Sequence, residues 1–152
     1  KGTNVFLSYF KNEEATQAVF TEDGWFKTED MGVIDEDGCL FIKGRSKCMI
    51  LGPSGQNIYP EEVETVINSQ PYVVDSLVVE DNGGLTALIY PDFAQGAKDG
   101  MNQDTFIKYI EDTLPELNKE LPNYAKLKKI EVMSEDFERT PKKSIKRYLY
   151  QR

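Results

Sequence analysis

The spacing of hydrophobic residues changes along the chain, and each change predicts a structural element. In residues 60–69 apolar side chains recur at helical intervals, which predicts an amphipathic helix. Two nearly continuous apolar runs, residues 73–80 and 85–90, are joined by the sequence Asp-Asn-Gly-Gly, which is typical of a tight turn between strands. Continuous runs of this kind indicate strands of a sheet that helices cover.

Helical spacing returns between residues 104 and 121, where Pro115 is expected to bend or break the helix. Residues 127–133 are predicted to form a further strand and residues 145–150 a short terminal helix. The polar residues 91–102 are expected to form a mobile loop. The order helix, strand, strand, helix, strand predicts the α+β class, with a small mixed sheet and helices packed on it.

Before residue 60 the predicted elements are shorter. Residues 12–20 predict a short helix, and residues 31–34 and 39–42 flank an Asp-Glu-Asp-Gly turn, which predicts a β-hairpin. Residues 49–51 and 56–58 flank a glycine-rich tip and predict a second, smaller hairpin. Pro60 suits the first position of the helix that follows.

Charge and composition limit the ligands that the chain can bind and the catalytic groups that it can use. The 152 residues carry a formal net charge of −8, so the surface is expected to repel the phosphates of nucleic acid. Residues 139–152 nevertheless hold six Lys or Arg and no acid, which suits a small polyanion, although a solvated basic helix end is the alternative. The chain has no histidine, which excludes Ser-His-Asp and Cys-His nucleophile systems and histidine-ligated metals.

The remaining composition argues against a membrane span and against a metal site. No apolar run approaches the roughly 20 residues that cross a bilayer. Cys39 and Cys48 lack the spacing of metal ligands and are expected to be free thiols in a reducing compartment. The expected location is the cytoplasm, with attachment of the full-length protein to a membrane surface as the alternative.

Three stretches carry more specific patterns. Residues 23–30 read Asp-Gly-Trp-Phe-Lys-Thr-Glu-Asp, and residues 139–147 read Arg-Thr-Pro-Lys-Lys-Ser-Ile-Lys-Arg. Between them, residues 44–64 contain a Gly-Arg-x-Lys turn followed by Gly-x-x-Ile-x-Pro-x-Glu-Val-Glu. In this order the stretches resemble motifs of the adenylate-forming acyl-CoA synthetases. The sequence around the central tip is most similar to the long-chain fatty-acid CoA ligases.

The resemblance implies an enzyme that activates a carboxylate with ATP, releasing pyrophosphate, and then passes the acyl group to CoA, releasing AMP. Residues 1–46 would be the end of a large N-terminal adenylating region, and residues 47–152 a mobile lid that rotates between the half-reactions. The chain begins with Lys1 rather than Met, which favours a fragment of a longer protein, and such a fragment is expected to be inactive alone.

The same resemblance implies the ligands and partners. ATP, CoA and Mg²⁺ are the expected cofactors, with Mg²⁺ bound mainly by the N-terminal region and no metal ligand in this chain. The expected partners are the small-molecule substrates, namely a fatty acid, ATP and CoA, and the N-terminal domain of the same protein. Neither nucleic acid nor a transmembrane segment is expected.

Individual roles follow from matching positions. Asp30 and Arg45 correspond to residues that bind the ribose and nearby phosphate of ATP or AMP, and Lys47 corresponds to the hinge. Glu29 stands where the family usually has Gly. The expected CoA-binding tip consists of Ser54, Gly55, Gln56 and Asn57.

The third motif departs from the family pattern. The family has a Gly-Lys pair before Ile-x-Arg, and that Lys stabilises negative charge during adenylation. Alignment on Ile145 puts Ser144 at the Lys position and Lys143 at the Gly position. Because a hydroxyl cannot supply the positive charge, Lys143 is the expected catalytic residue, and Lys142 is the second choice.

Two other readings remain open. The chain could be the lid of an acyl-AMP ligase that loads a carrier protein, since the adenylating chemistry is the same and only the acceptor thiol differs. It could also be a non-catalytic interaction module of the same fold, a reading supported by Ser144 at the usual Lys position.

Overall fold

One short helix and one β-hairpin make up the first of two units in the chain. The computed structural model describes residues 1–53 and 55–152, and their contacts separate Lys1–Lys47 from Cys48–Arg152. The predicted domain boundary before Lys47 stays a prediction, because this division reflects packing within the chain alone.

The first unit contains helix α1 (Glu13–Val19) and strands β1 (Asp30–Ile34) and β2 (Leu40–Arg45). The side chain of Asn12 caps α1 by accepting a hydrogen bond from the N–H of Ala15 at 3.0 Å. Strands β1 and β2 pair antiparallel, as the Asp-Glu-Asp-Gly turn between them predicts.

The second unit is built around one small sheet with helices beside it. Its elements are β3 (Ile50–Leu51), β4 (Asn57–Ile58), α2 (Pro60–Asn68), β5 (Val73–Asp81), β6 (Gly84–Pro91), α3 (Phe93–Lys98), α4 (Gln103–Glu111), α5 (Leu114–Glu120) and β7 (Leu127–Val132). The central strand β6 pairs antiparallel with β5 and parallel with β7, and β3 pairs antiparallel with β4. This mixed sheet with packed helices confirms the predicted α+β class.

One face of the sheet packs on the helices. Ala87 and Ile89 of β6 are buried in one cluster with Ile67 of α2, Phe106 of α4 and Leu117 of α5. Because side chains alternate along a strand, the residues between them point to the opposite face.

That opposite face is covered by the chain after β7 rather than by a helix. Leu88 is buried there in a second cluster with Phe137, and the half-buried Ile145 and Tyr150 pack against it. The continuous apolar runs of β5 and β6 predict a sheet covered by helices, and the structure uses helices for one face only.

The predicted mobile loop at residues 91–102 is wrong, because part of it forms α3. The side chain of Asp92 caps this helix by accepting from the N–H of Gln95 at 2.9 Å. Gly96 is buried and lies against the ring of Phe106, so the missing side chain permits a close approach to α4. The polar residues of the segment face outward, which explains its loop-like composition.

Two further predictions concern the ends of helices. The predicted break at Pro115 is confirmed, since α4 ends at Glu111 and Pro115 lies in the first turn of α5. The predicted terminal helix is reduced to a single 3-10 turn, Arg147–Leu149. Among the described residues, no helix combines the length and the apolar character that crossing a bilayer requires.

Replacing Gly96 by Ala should lower the free energy of unfolding by about 1–3 kcal/mol, because overpacking forces neighbouring side chains to move. The new Cβ would lie 2.8 Å from each of two ring atoms of Phe106. Urea unfolding followed by circular dichroism measures the loss. In a double-mutant cycle the loss should shrink when Phe106 is first changed to Leu. An equal loss in both backgrounds would contradict the proposed contact.

Candidate functional site

Asp30 and Arg45, the two residues expected at the nucleotide, are brought together by the first hairpin. They are cross-strand partners of β1 and β2, and Nε of Arg45 lies 3.0 Å from Oδ1 of Asp30. Their side chains are 34% and 61% exposed, respectively. An ion pair this accessible contributes only about 0–1 kcal/mol, so either side chain can exchange its partner for a ligand at small cost.

Glu29 keeps the backbone conformation that glycine adopts most readily. Its φ is +62°, in the left-handed region, and its carbonyl accepts a hydrogen bond from the N–H of Ser46 at 2.9 Å. Its carboxylate pairs with Nζ of Lys47, the expected hinge residue, at 2.8 Å. Lys47 lies in the 3-10 turn Ser46–Cys48 at the end of the first unit.

The glycine-rich tip between β3 and β4 presents backbone to solvent. Ser54 lies outside the described residues. The N–H of Gly52 donates to the carbonyl of Gln56 at 2.8 Å, and Gly55 has a φ of +79° with open space where a Cβ would lie. Gln56 and Asn57 are exposed beside it. The tip can therefore approach a ligand closely through its main chain.

A cleft of about 500 Å³ adjoins the first arm of this tip. Gly52 lines it together with Gly84 at the turn between β5 and β6 and with Tyr124 and Lys126 before β7. The described lining combines apolar walls with the ring of Tyr124, the ammonium of Lys126 and the carboxylate of Glu80. Sequence reasoning missed it, because its walls come from three segments that are far apart in the chain.

The third motif folds into a tight turn. Arg139 and Ile145 form an antiparallel bridge, and the N–H of Thr140 donates to the carbonyl of Ser144 at 2.8 Å. Lys143 has a φ of +65°, in the left-handed region that glycine favours. Lys143 thus has a glycine-like backbone at the position where the family has Gly. Ser144 follows at the position where the family has Lys.

Most of the positive charge near the C-terminus is paired with carboxylates of the same unit. Arg139 pairs with Asp75 and Asp136, Lys146 with Glu138, Arg147 with Glu64, and Arg152 with Asp81 and Glu131. Within residues 1–53 and 55–152, no ion pair involves Lys142 or Lys143. The turn therefore presents the two lysines of this segment whose charge is available to a ligand.

Arg147 also joins the third motif to the central one. Its guanidinium donates a hydrogen bond to Glu64 of α2, whose other carboxylate oxygen accepts from the N–H of Val78 at 2.7 Å. Burial raises the pKa of the Glu64 carboxyl above its ordinary value of 4.5, although the hydrogen bond from Arg147 opposes the rise. Sequence reasoning did not single out this pair. Helical spacing does place Glu64 beside Val63 and Ile67 on the buried side of α2.

Comparisons with known proteins agree with this architecture. The family model described as AMP-binding enzyme C-terminal domain matches residues 48–152. The O-succinylbenzoate coenzyme A synthetase MenE of Bacillus subtilis, solved in complex with ATP and magnesium ion, is 32% identical to this chain with a TM-score of 0.76. That similarity covers 97% of this chain and 28% of MenE.

Two relatives show how widely the sequence is shared. The long-chain-fatty-acid–CoA ligase FadD15 of Mycobacterium tuberculosis is 32% identical over 97% of this chain. The nonribosomal peptide synthetase apvA of Aspergillus terreus is 51% identical over 49% of this chain. The chain spans 28% of the length of FadD15 and 8% of that of apvA.

Changing the pH should alter the contributions of two glutamates in opposite directions. Hydrogen bonds from Arg152 and Lys129 lower the pKa of Glu131 from 4.5 to about 2, so its stabilisation is present above pH 4.5 and is lost as the pH falls toward 2. The pKa of Glu64 is raised, so its contribution decreases as the pH rises above 4.5.

Urea unfolding of Glu64→Gln and Glu131→Gln at a series of pH values measures both effects. The stability lost in Glu131→Gln should shrink as the pH falls below the ordinary glutamate pKa. The stability lost in Glu64→Gln should grow as the pH falls from neutral toward that value. Parallel trends in the two variants would contradict the assigned environments.

Proposed function

The chain belongs to the family of AMP-binding enzyme C-terminal domains, and we propose that it forms the lid of an ATP-dependent acyl-CoA ligase. In the first half-reaction a carboxylate oxygen attacks the α-phosphorus of ATP, and pyrophosphate leaves to give an acyl-adenylate. In the second, the thiol of CoA attacks the acyl carbon and AMP leaves, which gives the thioester and releases the thiol proton.

The observation that carries this proposal is the placement of two exposed surfaces at opposite ends of strand β5. The cleft beside the glycine-rich tip reaches Glu80 and Gly84, whereas the turn with the two unpaired lysines is tied to Asp75. Five residues of strand separate Asp75 from Glu80, which corresponds to about 17 Å. Two surfaces this far apart are best suited to act at one reaction centre one after the other. This favours a lid that rotates between the half-reactions.

The turn at residues 140–144 carries Lys142 and Lys143 and is called the lysine turn from here on. It suits the first half-reaction. Negative charge builds up between the carboxylate and the α-phosphate as the new bond forms, and an ammonium group placed there lowers the barrier. Lys143 supplies this charge in our proposal, with Lys142 as the second candidate. The turn is exposed and, among the described residues, neither lysine pairs with a carboxylate, so an adjustment of the side chain compensates for Ser144 in our proposal.

The tip and its cleft suit the second half-reaction. Gly55 permits close approach of the main chain to the pantetheine arm of CoA, with Ser54, Gln56 and Asn57 beside it. Tyr124 and Lys126 offer a ring and a positive charge, which match the base and the phosphates of the nucleotide end of CoA. A rotation about Lys47 exchanges this surface for the lysine turn.

The nucleotide itself would contact the first hairpin. The carboxylate of Asp30 can accept hydrogen bonds from both ribose hydroxyls, and the guanidinium of Arg45 can donate to the ribose and the phosphate. The residues described here contain no group of three or more His, Cys, Asp or Glu side chains that could hold a metal ion. In our proposal Mg²⁺, which would neutralise the ATP phosphates, is held mainly by the rest of the enzyme.

The acyl substrate of the proposed ligase is inferred from sequence similarity. We assign a long-chain fatty acid, because the similarity to FadD15 extends over 97% of this chain. The test is to measure pyrophosphate exchange and CoA-dependent AMP release by the full-length protein with carboxylates of increasing length. Thioester formation with long-chain acids supports the proposal. Exchange without thioester points to a carrier-protein acceptor, and the absence of both activities indicates a non-catalytic module.

Changing Lys143 to Ala should slow acyl-adenylate formation by about 10²–10³-fold, the usual loss when one preorganised charge or donor is removed. Pyrophosphate exchange measures this step. Thioester formation from supplied acyl-adenylate and CoA should be unaffected and serves as the control. The double variant Lys143→Gly, Ser144→Lys restores the family's Gly-Lys pair and should recover the rate. Adenylation within a factor of about three of the parent in Lys143→Ala would contradict the assignment.

A further inference from the structure

Arg139 supports the lysine turn from its inner side. Its Nη1 lies 3.3 Å from the carbonyl oxygen of Lys143, and its Nη2 lies 2.8 Å from Oδ2 of Asp75 and 3.0 Å from Oδ1 of Asp136. One planar guanidinium therefore connects the left-handed residue of the turn to the first part of strand β5. The side chains of Arg139 and Asp75 are 31% and 24% exposed, so their ion pair is partly shielded from solvent.

This arrangement depends on the shape of arginine. The guanidinium presents several donors in a fixed plane, so it can donate to a carbonyl and to two carboxylates at the same time. A lysine ammonium at the same position is a point charge on a flexible stem. Hydrogen bonds to Asp136 and Asp75 raise the pKa of Arg139, and the bond from Arg139 lowers the pKa of Asp136. The guanidinium of Arg139 is therefore charged throughout the physiological pH range.

The rest of the C-terminal segment does not depend on Arg139 for its docking. Phe137 is buried on the second face of the sheet, with Ile145 and Tyr150 packed against the same cluster. Arg147 is held separately by Glu64. Loss of Arg139 should therefore loosen the turn between residues 140 and 144 without releasing the segment from the sheet.

We propose that Arg139 is a positioning residue for adenylation, which holds the carbonyl of Lys143 against Asp75 and so fixes the direction in which the Lys143 ammonium leaves the turn. This inference rests on the proposed function, in which Lys143 carries charge to the adenylating centre. Misplacement of a catalytic group by about 1 Å can reduce a rate by about 10²-fold, so a support of this kind matters for the chemical step.

The test compares Arg139→Gln with Arg152→Gln in the full-length protein. The control makes the same chemical change in Arg152, whose ion pairs with described residues are with Asp81 and Glu131 and not with the turn. Arg139→Gln should lower pyrophosphate exchange by about tenfold or more. It should leave thioester formation from supplied acyl-adenylate within a factor of about two. Arg152→Gln should leave both half-reactions unchanged.

Two further variants separate positioning from simple stabilisation. Arg139→Lys keeps the charge near Asp75 but loses the planar fork, so it should recover thermal stability without recovering the exchange rate. The double variant Arg139→Gln, Lys143→Ala should be no slower than Lys143→Ala alone, because Arg139 acts through Lys143.

The outcomes distinguish this inference from the proposed function. If Lys143→Ala leaves exchange unchanged, the Lys143 assignment fails, and the role of Arg139 fails with it. If Lys143→Ala slows exchange but Arg139→Gln does not, only the positioning role is overturned. Equal losses in both half-reactions of Arg139→Gln, or losses that multiply in the double variant, would also overturn it.

Discussion

The docking of the C-terminal segment on the second face of the β5-β6-β7 sheet is the interaction on which the site depends. The sheet is apolar on both faces, and its helices cover one. Leu77, Val79 and Leu88 are buried on the other face together with Phe137, which is 3% exposed in the folded chain. Burying apolar surface stabilises a fold by about 25 cal/mol per Å². The hydrophobic effect that stabilises the core therefore also holds this segment on the sheet. Its fixed path then places the lysine turn at one end of β5.

Ion pairs add direction to this non-directional packing. Apolar contacts alone would tolerate several alignments of an extended segment on a sheet. The pair of Arg147 with Glu64 selects one of them, and the pair of Arg139 with Asp75 fixes the position of the turn. A buried pair carries a desolvation cost and is a weak source of stability, but it penalises every alignment in which one partner is left alone. Glu64 belongs to the central motif and Arg147 to the last, so the pair links two stretches that are 83 residues apart.

Whether a feature of the fold could be predicted from the sequence depends on how far apart in the chain the interacting residues lie. Local patterns predict the strands of the sheet, helix α2 and the break at Pro115, because each depends on residues a few positions apart. Helix α3 was missed because it is short and mostly polar, and Gly96, its fully buried residue, carries no hydrophobic signal. The cover of the second face was missed because Phe137, Ile145 and Tyr150 follow no regular spacing.

The same difference between local and long-range contacts applies to the candidate site. The pairing of Asp30 with Arg45 follows from the first hairpin. Glu29 and Lys143 adopt left-handed backbone at positions where the motif resemblance places glycine, and no propensity of these residue types predicts that conformation. The support of the turn by Arg139 depends on a contact 64 residues away in sequence, so only the folded chain reveals it.

Native-state hydrogen exchange of the 152-residue chain tests the central claim most directly, namely that the segment after β7 docks on the sheet and leaves the lysine turn exposed. The N–H groups of Met133 and Lys146 donate to the carbonyls of Ile89 and Glu138 at 2.7 and 2.8 Å, so they should exchange slowly. The N–H of Lys142 should exchange fast. Fast exchange throughout residues 134–150, with β6 still protected, would contradict the account.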